Sequence, residues 1–363
     1  MNIVAVTEVW HPHQSEVVTV LDLHRQALYA RGHEVTVLTP DRPQTQALDP
    51  FSVTVPAIPL PGSSGYHLSF PGLGRVDSVI AKADLVTLHQ PFELSRYVLQ
   101  RATATNTPVL YVHHPSLGIS KATIDIGNRA QAVITDDGLI ELSLRKAGLS
   151  VPLYTVPVGI DLRSSSSASP GWLQQRLALP AQTDVLLGLD PTESDPRYDV
   201  LIDALARMDE SPHFALVPDS LAARRQLNDA VTMTRRGHHI HVLESHSNND
   251  QHQFFTSPSF VVSVASRAHP RWLLKASAVG LPSLSLRQAS ESPYVLNRQT
   301  GLVVPPTATA VVRGLRQLLH RPALRTRLGK AAQTHAASFS LDRMTDRLVD
   351  VFHLTRKLVR VER

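Results

Sequence analysis

The sequence has no cysteine among its 363 residues. Disulfides, thiolate metal sites and cysteine nucleophiles are excluded together. Aromatic residues make up only 5% of the chain, so its core has to be built mainly from Leu, Val, Ile and Ala. No stretch approaches the roughly 18 uncharged apolar residues that a membrane span requires. The opening Met1-Asn2-Ile3-Val4-Ala5-Val6 lacks the basic start and the apolar length of a secretory leader, which predicts a cytoplasmic location. A large excess of one charge is also missing. The 36 Lys+Arg stand against 31 Asp+Glu, and no basic cluster gathers in the N-terminal half, so nucleic acid is not an expected partner. What is present is a globular composition, 42% hydrophobic, at a length suited to two domains.

The order of elements is an α/β alternation. Asn2 to Val6 reads as a buried strand and residues 17–28 as an amphipathic helix, with Gly32 placed as its C′ residue. Glu34 to Leu38 follows as the next strand, and strand–helix–strand in about forty residues implies a parallel pair. Further strands are expected at 53–55, 83–89, 108–114, 132–135 and 153–157, and helices at 94–102 and 138–147; Ile58-Pro59-Leu60 reads as loop. The run Arg163 to Gly171, rich in serine, is the candidate linker. After it a second series begins, with strands at 184–189, 214–217, 240–243, 260–263 and 282–285 and helices at 200–208, 221–234 and 273–279. Two strands of the first series end in His89 and His114, and open α/β sheets bind ligands beyond those strand ends.

Five phrases, in order along the chain, resemble the family-4 retaining glycosyltransferases. They are Arg31-Gly32-His33-Glu34-Val35-Thr36-Val37, Val156-Pro157-Val158-Gly159-Ile160-Asp161, Ala276-Ser277-Ala278-Val279-Gly280-Leu281-Pro282, Thr300-Gly301-Leu302-Val303-Val304, and Phe339-Ser340-Leu341 before the last helix. The resemblance implies the GT-B architecture: two Rossmann-like doubly wound α/β domains facing a cleft. Residues 1–162 would be the acceptor-side domain, joined by a returning helix at 341–363, and residues 163–340 the nucleotide-sugar side. The implied reaction moves a sugar from a UDP- or GDP-type donor, with no other cofactor and no metal. The leaving diphosphate then needs cations or helix N-termini, and the sugar hydroxyls need acceptors.

The residues that carry this chemistry in the family are largely replaced. Its two glutamates fall on Arg267 and Lys275, which donate hydrogen bonds but accept none. Its first glycine loop reads Ser15-Glu16, its Gly-Arg reads Gly188-Leu189, and its later Gly-Gly reads Ala289-Ser290. Arg197 can stand in for a missing cation. Between the strand ending at His114 and the next at Ala132 only residues 115–131 remain, where relatives carry several dozen. Arg197, Arg267, Lys275, Thr300, Gly301 and Leu302 are the candidate diphosphate and nucleotide site, and His114 the candidate catalytic residue, matching the histidine that faces the donor sugar in relatives.

Two readings follow. In the first the chain has lost donor chemistry and serves as a non-catalytic subunit of an active glycosyltransferase. In the second it is an active retaining transferase with a cationic donor site. Three further features carry both a functional and a plain reading. His89 can bind substrate or simply bond within its loop. His238, His239 and His241 read as surface residues near a turn. Arg343, Arg347, Arg356, Lys357, Arg360 and Arg363 on the last helix suit the anionic inner face of a membrane or a solvated surface, while Leu348, Val351, Phe352 and Leu358 form a stripe suited to the core.

Overall fold

The structure, a computed structural model, describes residues 1–11, 15–41, 50–60, 66–71, 74–136, 138–162, 171–189, 197–208, 212–218, 221–234, 237–243, 253–263, 270–286 and 294–361. The chain forms two compact units, Met1–Val158 with Leu341–Arg363, and Gly159–Ser340. Of the candidate linker, Arg163 to Gly171, all but Gly171 lies outside the described residues.

The first unit is built on β1 (Asn2–Val6), β2 (Glu34–Pro40), β3 (Ser52–Val55), β6 (Leu85–Leu88), β7 (Val109–Val112), β8 (Ala132–Thr135) and β9 (Leu153–Thr155). All seven are parallel and lie in the order β3-β2-β1-β6-β7-β8-β9. Helices α1 (Glu16–Tyr29), α2 (Arg75–Ile80), α3 (Glu93–Ala104), α4 (Lys121–Arg129) and α5 (Gly138–Lys146) make the crossovers. A parallel sheet must be covered on both faces, and alternate residues of each strand supply the two surfaces. Ile3 and Ala5 pack with Val18, Leu21 and Leu28 of α1, whereas Val4 and Val6 pack with Leu94, Val98 and Leu99 of α3.

The second unit repeats the plan. Its strands are β10 (Val185–Leu189), β11 (His213–Leu216), β12 (Ile240–Val242), β13 (Phe260–Ser263), β14 (Ser283–Leu286) and β15 (Gly301–Val304), all parallel, in the order β12-β11-β10-β13-β14-β15. The described helices here are α6 (Trp172–Arg176), α7 (Arg197–Ala206), α8 (Leu221–Thr232), α9 (Pro270–Ala278), α10 (Ala308–Leu319) and α11 (Pro322–Ala336). The chain then returns to the first unit as α12 (Leu341–Val361). Met344, Leu348, Val351 and Phe352 of α12 join the core on the α1 side of the sheet, and Leu358 packs against it half-buried, so the stripe is core contact. Arg31 holds α12 by ion pairs to Asp342 and Asp346 at 3.2 and 3.0 Å, and Arg356 reaches Asp84 at 3.0 Å.

The alternating strands fall where their apolar runs predict, and three local features differ. Gly32 carries the positive φ of 74° expected after α1, but one position later, because the helix stops at Tyr29 with Ala30 as its cap. Residues 57–60 are not loop throughout. Ala57–Pro59 forms β4, antiparallel to β5 (His67–Ser69), and the prolines at 56 and 59 hide the strand pattern. The short stretch 115–131 holds a 3-10 turn and α4, whose start is closed by a capping box. Ser120 Oγ accepts from the Thr123 N–H at 3.1 Å, and Thr123 Oγ1 accepts from the Ser120 N–H at 3.2 Å. Gly127 lets α4 lie close on the sheet, since an added Cβ would meet Leu149 at 2.8 Å.

In the second unit α9 and α11 meet through small residues. Gly280 closes α9 at φ +81°, and its carbonyl lies against Gly329 of α11, where any side chain would collide with it. Gly329→Ala is therefore expected to cost about 1–3 kcal/mol of stability, read as a lowered thermal midpoint. Gly138→Ala, where the added methyl meets nothing within 4 Å, is expected to leave the midpoint in place.

Candidate functional site

Each sheet reverses its strand order once, between β1 and β6 in the first unit and between β10 and β13 in the second. A crevice opens at such a point beyond the C-terminal strand ends, and ligands bind there in open α/β sheets. The residues leaving those four strands define the candidate sites.

In the first unit the chain's own polar groups gather at this point. Glu8, two residues beyond β1, is 3% exposed. Its Oε1 accepts from the backbone N–H of Leu94 at 2.8 Å and of Ser95 at 3.4 Å, and its Oε2 accepts from Ser69 Oγ at 3.4 Å. The carboxylate thus sits on the open amides that begin α3, where the N-cap Phe92 offers no side-chain acceptor. Gln90, just past β6, ties the strand ends together: its Oε1 accepts from the Glu8 N–H at 2.6 Å and stands 3.0 Å from Thr7 Oγ1. Burial pushes the Glu8 carboxyl up to about 7, against the opposing pull of the two amides. Sequence reasoning passed over Glu8 and Gln90. Their usable signal was a polar residue two positions beyond each of two short, mainly apolar strands.

His89 and His114 lie side by side at the ends of β6 and β7, both buried. Nδ1 of His89 and Nε2 of His114 share a hydrogen bond of 3.0 Å, and Nε2 of His89 lies 3.2 Å from Thr87 Oγ1. Burial holds His114 down to about 3 and His89 well below the usual imidazole value, with the neighbouring histidines adding to both. One proton between two neutral rings satisfies this pair, whereas two cationic rings would set donor against donor. His24 of α1 bears on both rings and, with Thr87 and His89, lines a cavity of about 10 Å³, room for a single water. As placed, the His114 imidazole faces His89 within the protein and is 2% exposed.

In the second unit the candidate residues separate by role. Thr300 is buried, and its Oγ1 accepts from the Leu296 N–H at 2.8 Å, closing the turn before β15. Gly301 lets β15 approach β14, since a Cβ there would meet Ser283 Oγ at 2.7 Å. Leu302 is a core residue. Gly188 is likewise a packing glycine inside β10: a side chain would meet Phe214 at 2.6 Å. Lys275 is half-buried on α9, with Nζ 5.1 Å from the centre of the Trp272 ring. Burial and then the charge of Arg271 lower its ammonium to about 8. Arg197 begins α7, and Arg267 belongs to the segment between β13 and α9. Arg267, the Arg197 side chain, Asp190, Pro191 and Ala289-Ser290 lie outside the described residues.

The histidines read as a surface turn are joined by His213 of β11. His213 Nδ1 lies 2.8 Å from His241 Nε2 with the rings stacked, and His239 lies 4.6 Å from the His213 ring centre. His238 is exposed, while His239 and His241 are half-buried. Among the described residues no group of three or more His, Asp or Glu side chains is placed to hold a metal ion. No helix among them is long and apolar enough to cross a membrane.

The fold is that of solved glycosyltransferases of the GT-B type. Residues 17–164 match the model of Glycosyltransferase Family 4. A glycosyltransferase from Rickettsia africae is similar in structure with a TM-score of 0.79 at 14% identity, over 98% of each chain. HepE from Anabaena, in complex with UDP-glucose, is similar with a TM-score of 0.77 at 15% identity, over 97% of this chain and 99% of that one. A chain of the GtfA/B complex is similar with a TM-score of 0.69 at 9% identity, over 98% and 100%. No curated protein sequence matches the chain.

Glu8 generates a pH prediction. Its proton is held to about pH 7 in the folded state, above the ordinary value of 4.5, so the folded chain binds more protons than the unfolded one between those limits. This contribution to stability therefore falls as pH rises through that window. The buried histidines act in the opposite sense, since their folded values are lowered. Glu8→Gln keeps an acceptor for the Leu94 amide and removes the carboxyl titration. The stability of this variant relative to the parent is expected to rise by about 3 kcal/mol from pH 4 to pH 8, measured by denaturant unfolding across that range.

Proposed function

We propose that the chain is a glycosyltransferase-fold protein without donor-site chemistry of its own, acting as a non-catalytic subunit of an active glycosyltransferase. The observation that carries this reading is Lys275. It stands where the family resemblance requires a carboxylate, and its ammonium is drawn over Trp272. An ammonium cannot accept from sugar or ribose hydroxyls, and each lost charged hydrogen bond costs about 1.5–3 kcal/mol. The Arg267 substitution adds a second loss of the same kind. Glu8 on the α3 amides and His114 turned onto His89 support the same view, because both candidate groups of the first unit are engaged within the protein. One structure of similar fold, GtfA/B, is itself a complex.

A second reading has one observation in its favour. Arg197 and Arg267 follow β10 and β13 in sequence, and those strands are neighbours at the point of reversed order. Two arginines there, with Lys275, suit the diphosphate of a UDP- or GDP-sugar. Peripheral contact with an anionic membrane has less support. Arg356 is committed to Asp84, and Asp342 and Asp346 interrupt the exposed Arg343, Arg347 and Lys357 on α12.

Calorimetric titration with UDP, GDP, ADP and their sugar conjugates separates the readings. The non-catalytic reading expects no binding up to millimolar nucleotide and no sugar transfer by the isolated chain. Micromolar binding that weakens at least tenfold in Lys275→Ala or Arg267→Ala would replace it with the cationic donor site.

A further inference from the structure

The net charge of the chain is not shared between its units. The first unit holds 17 Lys+Arg and 17 Asp+Glu, the second 19 and 14. Within the second unit the imbalance is local. Residues 292–340 contain seven Lys or Arg and no Asp or Glu, while residues 159–291 contain 12 and 14. With both surplus acids of the earlier stretch turned onto the later one, five cations still stand in excess. Pairing inside the unit therefore cannot cancel this charge, whichever ion pairs form.

Six of the seven lie on the helical hairpin of α10, α11 and their joint, His320-Arg321. Arg325 has a structural duty. It is half-buried, stands 3.9 Å from Asp184, and donates to the Leu318 and Leu319 carbonyls at 3.1 and 2.9 Å, tying the start of α11 to the end of α10. Arg313, Arg316, Arg321, Arg327 and Lys330 are exposed. They lie off the buried faces, which are Val311, Gly314, Leu315 and Leu318 in α10 and Leu328, Gly329, Ala332 and Ala336 in α11. Helix stability does not call for all of them. Cations suit a helix C-terminus and oppose an N-terminus, yet α11 opens on Arg321 with no acid in its first turn. Charge held there against the local preference points to an anion from outside.

The neighbours of the cations select its class. Among the described residues, no large apolar side chain between 294 and 340 is exposed. A bilayer contact buries such side chains, a stable protein interface is anchored by them, and single-stranded nucleic acid stacks on exposed aromatics. What accompanies the cations instead is hydroxyl and amide. Thr326 and Thr334 are exposed, and each spends its only hydroxyl proton on a helix carbonyl, Pro322 O at 3.1 Å and Lys330 O at 3.2 Å. Their oxygens are left to accept, which Arg and Lys cannot do. A chain that offers anions together with hydroxyl donors matches both sets. We propose that the outer face of the α10–α11 hairpin is a docking surface for an acidic polysaccharide. The proposal goes beyond the donor-site readings and depends on neither.

The test is anisotropy of fluorescein-labelled polygalacturonate fragments titrated with the full chain, with no nucleotide present, so its outcome is separate from that of the calorimetric titration. Micromolar binding is expected at 50 mM NaCl, weakening at least tenfold at 300 mM as the charges are screened. Arg313→Gln, Arg316→Gln, Arg327→Gln and Lys330→Gln together should raise the dissociation constant at least tenfold. The thermal midpoint should stay close to the parent, since glutamine suits exposed helix positions. Lys82→Gln, Lys121→Gln, Arg129→Gln and Lys146→Gln, exposed positions of the first unit, remove the same charge and should change binding less than threefold. No binding at 50 mM NaCl, or equal losses in the two variants, overturns the proposal. Poly-L-glutamate bound as tightly at equal carboxylate concentration also overturns it, and assigns the face to an acidic protein segment. Tighter binding of duplex DNA or of phosphatidylglycerol vesicles overturns it in favour of nucleic acid or membrane.

Discussion

Parallel strands buried on both faces have to be roofed twice, and the first unit is organised by that requirement. Ile3 and Ala5 look toward α1 and α12, while Val4 and Val6 look toward α3 and its neighbours. With both faces closed by aliphatic side chains, the C-terminal edge of the sheet is the place where polar groups can collect and still find partners. Thr7, Glu8, His89, Gln90, His113 and His114 are all buried there. The hydrogen bonds among them follow from desolvation: a buried carboxyl or imidazole without a partner is costly, and the open amides of α3 are the nearest compensation for Glu8.

The two sheets share one strand order but treat their crevices differently. In the first unit the Glu8 carboxyl and the Gln90 amide, beside the crevice between β1 and β6, are bonded within the chain. In the second unit, two glycines from motifs that the resemblance associates with a donor site answer to packing. Gly188 makes room for Phe214, and Gly301 for Ser283. Packing thus claims positions inside the very phrases that the resemblance links to a donor site.

Most strands were legible because each is a short apolar run bounded by polar or turn residues, the pattern a doubly covered sheet demands. Some helices that bury large residues, such as α1 and α3, were legible for the same reason, whereas α10, which buries Val311, Leu315 and Leu318, was not read. Those that bury small ones were not. α4 places Thr123, Ile126 and Gly127 against the sheet, and α11 buries Gly329, Ala332 and Ala336, so neither shows a broad stripe of large apolar side chains. At the candidate site the paired histidines were visible as strand-end residues. Glu8 and Gln90 were not, since their significance depends on β1 and β6 being neighbours, and 78 residues of intervening sequence conceal that adjacency. The environment of Lys275 was hidden too, because a lysine three residues after a tryptophan does not announce that one covers the other.

The return of α12 to the first unit also sets an order of assembly. The second unit is continuous in sequence and can close as soon as residue 340 has been made. The first unit cannot. Until Leu348 and Phe352 leave the ribosome, Leu21, Leu28, Val35 and Val112 border an unroofed apolar floor. The half of the protein synthesised first is thus the half finished last, and a nascent chain stalled before residue 341 would display a sticky surface of the kind that chaperones intercept.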